Sequence, residues 1–128
     1  MTPEKLERLL KVHEEHKQAM AEGDLETYSD LGHAFHREIN RAAESHRLAA
    51  LLNTIVKQLP SRFYVGIDGH VEATGSKHKR LVTAMRKGDP EKARRTMEEH
   101  VMEGATYLID SLEKRGVFQH KESAAAES

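Results

Sequence analysis

The sequence predicts an all-α fold, an antiparallel helical bundle of five to six helices. Three observations lead there. Apolar residues return every three or four positions through most of the chain. The runs are separated by glycine, proline and aspartate at places that suit helix ends. Charged residues make up 32% of the chain, aromatics 5%, and tryptophan is absent, a composition of helices with charged outer faces rather than of packed sheets. At 128 residues the chain can bury one core and is expected to be one domain.

Thr2 and Pro3 read as N-cap and first helical position. Leu6, Leu9, Leu10, His13 and Met20 then fall on one stripe of a first helix that Gly23 ends. Asp24 caps a second helix with Leu25, Tyr28, Leu31, Phe35, Ile39 and Ala42 on its apolar face. A third, "RLAALLNTIVKQL", runs to Pro60. The stretch "SRFYVGIDGHVEATG" contains three glycines and no long helical pattern, so a loop with a short helical turn is expected. A fourth helix runs from about Ser76 to Lys87 and stops at Gly88. Asp89 and Pro90 restart the chain into a fifth that reaches about Arg115, before Gly116. The domain is expected over residues 1–118, with 119–128, ending in "KESAAAES", as a frayed tail. "AMAEGDLE" from Ala19 and "AMRKGDPE" from Ala84 repeat at the offset that separates His13 from His78. Gly-Asp is a good helix break in any context; the sharper reading is a pseudo-twofold bundle whose halves face each other across a pocket.

The formal net charge of −1 gives no electrostatic footprint for nucleic acid or an anionic membrane. Without cysteine there is neither a disulfide framework nor a thiolate metal site. No apolar run of about 18 residues and no signal-peptide core is present, so a soluble, cytoplasmic protein with no membrane partner is expected.

The nine histidines separate on helical wheels. His33 lies nearly opposite the Leu31, Phe35, Ile39 stripe and is expected in solvent. His36 lies at the stripe's edge, one turn after Gly32. His78 is the centre of an i, i+3, i+4, i+7 set with Leu81, Val82 and Met85. His100 is surrounded by Ala93, Met97, Val101, Gly104 and Leu108. His13 falls inside its own stripe and His16 at its edge, while His46, His70 and His120 belong to boundaries, loop or tail. A single inward histidine is ordinarily a core residue satisfied by a carbonyl or hydroxyl. Several from different helices need a shared partner, because each unpaired buried polar group costs about 1 to 3 kcal/mol, and a divalent metal satisfies several neutral imidazoles together. Glu38, Glu98 and Glu99 map to polar faces, which weakens a carboxylate-bridged di-metal site. No serine or cysteine nucleophile sits beside an inward histidine.

"LGHAFHREINRAAESHRLAALL" followed by "SKHKRLVTAMRKGDPEKARRTMEEHV" resembles the FCD domain, the helical C-terminal effector-binding domain of the FadR branch of GntR-family transcription regulators. The resemblance covers roughly residues 5 to 115. It rests on Phe35-His36, on His78 with Leu81, Ala84, Met85, Gly88 and Asp89, and on His100. It implies a metal held by His36, His78 and His100, with Zn or Ni the expected ion and a small organic carboxylate as effector. It also implies a homodimer and a non-enzymatic role in controlling DNA binding through a winged helix-turn-helix that this chain does not contain. The family's acidic ligand falls on Gly32, so either His13 is a fourth ligand or water or an effector carboxylate completes the site. Arg37, Arg47, Arg62 and Arg80 are candidate carboxylate clamps. Three imidazoles with an open position also suit a hydrolytic ion, so a small histidine-ligated metalloenzyme of bundle type is the alternative.

Overall fold

The computed structural model describes residues 1–58, 66–67 and 69–118. Among these there are five helices and no strand: α1 (Pro3–Glu22), α2 (Leu25–Ala42), α3 (His46–Val56), α4 (His70–Arg86) and α5 (Pro90–Lys114). The predicted tail from 119 and the apolar run "FYVGI" up to Val65 lie outside the described residues.

The caps follow the sequence. The Thr2 hydroxyl accepts from the Lys5 amide at 3.3 Å, and Pro3 starts α1 where its missing N–H is of no consequence. The two Gly-Asp breaks are built alike. Gly23 and Gly88 take φ of 72° and 65°, left-handed values that cost a residue with a Cβ. Asp24 and Asp89 donate their amides back to Ala19 and Ala84, each at 3.0 Å. Their carboxylates then cap the next helix, accepting from the Thr27 amide at 3.1 Å and the Lys92 amide at 3.0 Å. The sequence echo is thus a repeated Schellman-type stop joined to an N-cap. It produces two helical hairpins, α1–α2 and α4–α5, which pack together through α1 and α4.

The core between the hairpins is Leu9, Phe35, Leu81 and Val82, bordered by Leu10, Val12, Ile39, Met85 and Met97. The Tyr28 hydroxyl donates to the Val71 carbonyl at 3.2 Å and ties α2 to the first turn of α4. Lys77, nearly buried, bonds Glu99 at 3.0 Å and Glu103 at 3.2 Å, and Arg80 bonds Glu99 at 3.1 Å, which fixes α4 against α5.

Several expectations shift. α4 begins at His70, not Ser76: Gly69, with φ of 77°, starts it, and at Gly75 the helix runs beside the Met20 side chain of α1. Packing against α1 outweighs the low helix propensity of a stretch with two glycines. α3 ends at Val56, short of the expected Leu59. The buried stripe of α1 is Leu9, His13, His16 and Ala19, with Met20 turned outward, and Leu25 is exposed at the start of α2. On α5, Thr96 joins His100 inside while Val101 faces out.

Candidate metal centre

Each hairpin positions histidines toward the other. Phe35 anchors α2 in the core, and His36 follows it at the core's edge with part of its surface open. On α4, His78 precedes Leu81 and Val82 on the inward face and is fully buried, its ring stacked 4.0 Å from that of Phe35. On α5, His100 lies one turn after Thr96. The ion pairs that lock α4 to α5 flank this contact, since Lys77 and Glu99 directly precede His78 and His100.

Three ring nitrogens converge. His100 Nε2 is 3.3 Å from His78 Nε2 and 3.1 Å from His36 Nε2. Among the described residues, these three histidines alone bring metal-capable atoms from three side chains within 4.8 Å of one another. Hydrogen bonding does not satisfy such a set. A neutral imidazole nitrogen has either one N–H or one lone pair, so His100 Nε2 can bond only one neighbour at a time. A tetrahedral ion with bonds of 2.0–2.1 Å sets its ligand nitrogens about 3.3 Å apart, close to both observed separations.

Burial keeps the rings neutral, the form a metal requires. Desolvation is the largest cause for each: it lowers His36 to about 3 and His100 to about 4, and it lowers His78 strongly. Neighbouring imidazoles push the same way, because a second positive ring beside the first is unfavourable. His78 Nδ1 is buried without a partner. With an ion on Nε2 it would carry the proton and have no acceptor, a cost of about 1 to 3 kcal/mol that a metal bond readily offsets. The donor set therefore fits a divalent transition ion.

The remaining sequence candidates divide. His13 is buried, its ring 5.8 Å from that of Phe35, but it is not a member of the converging group. His33 is partly buried rather than exposed, and also outside the group. Arg37 and Arg47 are exposed, Arg80 is held by Glu99, and Arg62 lies outside the described residues. Sequence reasoning underrated His16. It is 2% exposed, stacked 4.1 Å from Tyr28, with its ring 5.0 Å from that of His78 and its Nε2 lacking a partner. The signal was available, because Leu9, His13, His16 and Ala19 form a continuous helical stripe. With Leu6, Leu10 and Met20 included in the stripe, His16 falls at its edge.

A protein-family model for the FCD domain matches residues 1–103. The chain belongs to the FCD domain family. FCD domains are the helical, regulatory and typically non-catalytic domains of GntR-type regulators, and the three-histidine cluster of this one can hold a metal ion. No curated protein and no solved structure matches the chain. No helix among the described residues is long and apolar enough to cross a membrane.

Proposed function

We propose that this FCD domain senses a small organic carboxylate through a divalent ion, Zn or Ni, held by His36, His78 and His100. The observation that carries the reading is the convergence of the three Nε2 atoms, with His100 in contact with both others. When bound, the ion supplies a Lewis-acidic position for an anionic ligand. The residues of the chain do the rest. Phe35 fixes the His78 plane by stacking, and the Lys77 and Arg80 pairs with Glu99 hold α4 and α5 in register so that the rings meet. The trio spans both hairpins, with His36 on α2 and His78 and His100 on α4 and α5, so a ligand that tightens it changes how the hairpins sit against each other. Such a change, favouring one arrangement by its differential affinity, is how the domain would bias DNA-binding heads in a homodimeric regulator. In support of a dimer, α3 keeps Leu48, Leu51 and Ile55 more than half exposed.

A hydrolytic role finds no support in the carboxylates near the trio. Glu99 and Glu103 are both bound to Lys77, so neither stands as a free carboxylate base. Elemental analysis joined to native mass spectrometry tests the proposal. One divalent ion per chain is expected, with a small acid retained under gentle ionisation. Protein that takes up no zinc or nickel when offered either would contradict it.

A further inference from the structure

We propose that His16 is the hydrogen-bond donor that receives a carboxylate at the open side of the histidine trio, and that the missing side chain of Gly32 is the room that carboxylate uses. The inference rests on the metal reading above and deepens it by assigning the residues that recognise the effector's acid group.

His16 stands on α1, the hairpin helix that contributes nothing to the trio. It is 2% exposed, and Tyr28 stacked on its ring holds the plane. Its Nε2 has no hydrogen-bond partner, and a Cβ built on Gly32 would stand 3.5 Å from it. Gly32 is one turn before His36, so the unfilled space lies on the same face of α2 as a member of the trio. The His16 ring is 5.0 Å from that of His78, yet its nitrogens do not join those of His36, His78 and His100 within 4.8 Å. That placement suits a group that touches a ligand of the ion rather than the ion itself. A buried ring nitrogen without a partner costs about 1 to 3 kcal/mol, which an incoming oxygen would recover in the tautomer that carries the proton on Nε2.

Charge selects the ligand. Three neutral imidazoles leave both charges of a divalent ion uncompensated in a poorly solvated place. Four acidic side chains next in sequence or near the trio's histidines are engaged by cations: Glu99 and Glu103 with Lys77, Glu38 with Arg8 and Arg41, and Glu98 with Arg94. An anion from solution is the complement such a site favours over water. A carboxylate has two oxygens, one to face the trio and one to accept from His16 Nε2–H.

The test uses the cobalt(II)-loaded protein, read by its visible absorption, with acetate as probe. Wild type and His16→Gln, which keeps a donor, should both change spectrum on acetate addition with similar affinity. His16→Phe keeps a ring to stack on Tyr28 but has no donor. It should bind cobalt within about threefold of wild type and acetate about 10- to 100-fold more weakly, the range of a hydrogen bond to a charged group. Gly32→Asp leaves His16 in place and supplies a carboxylate from within. It should hold cobalt more tightly and lose the acetate response. Unchanged acetate affinity in His16→Phe, or a full acetate response in Gly32→Asp, would overturn the proposal while leaving the metal reading intact. Cobalt loss in His16→Phe as severe as in His36→Ala would instead make His16 a ligand and also overturn it. Wild type that binds no cobalt would overturn the metal reading, and this proposal with it.

Discussion

His36 is the member of the trio best suited to substitution, because it stays partly open, whereas His78 is fully buried against Phe35 and its removal would also leave a cavity. His36→Ala should weaken zinc binding by about 100-fold or more in a chelator-competition titration, since one of three donors is gone, at least the upper range seen for lost supporting groups. His33→Ala, three residues away and outside the converging group, should change it by less than about threefold. Equal losses in the two variants would mean that α2 presents a different face. Helical phase turned His78, His100 and His13 inward and His36 and His16 to an edge; it was the resemblance to the FCD domain that singled out His36, His78 and His100. Helical phase placed His16 only at the edge of its stripe, and its full burial follows from Tyr28 and His78 packing on it. Helical phase did not reveal Thr96, which is buried one turn before His100 while Val101, expected inward, is exposed.

The two Gly-Asp breaks decide how the helices are paired. Gly23→Ala and Gly88→Ala should each destabilise the protein by about 1 kcal/mol in urea unfolding, because the left-handed conformation at these stops penalises a Cβ. Gly104→Ala, in the middle of α5 with nothing within 4 Å of the added carbon, should instead stabilise it by up to about 1 kcal/mol. A reversed order would mean that the breaks are not what holds the hairpins. Helix ends were legible wherever local chemistry sets them, as at Thr2, Asp24 and Asp89. The start of α4 was not, because residues 70–75 are helical through contacts with α1 and Tyr28, and such long-range support leaves no mark on local spacing.

Across the whole molecule the buried histidines link stability to protons and to metal. Burial lowers His16 to about 4, His36 to about 3 and His100 to about 4, and lowers His78 and His13 as well, from an unfolded value near 6.5. Below pH 6.5 the unfolded chain therefore binds protons that the folded one refuses. Stability is complete above that pH and falls on acidification by up to about 1.4 kcal/mol per pH unit for each such ring. Several rings acting together are comparable with a whole domain's stability, so the metal-free protein should lose its helical circular dichroism cooperatively between about pH 6 and 4. A protein still folded at pH 3.5 would show that these rings are not buried neutral. The most direct test of the central claim, that His36, His78 and His100 share one ion, is the melting temperature of zinc-loaded protein with and without a strong chelator at pH 7.5. At zinc about a thousandfold above its dissociation constant the ion should add roughly 4 kcal/mol, raising Tm by about 10 to 20 °C, a difference that should persist at pH 5.5 because burial holds the folded His36 and His100 rings neutral down to about 4. Coincident melting curves at pH 7.5, from protein verified to carry zinc, would contradict the shared site.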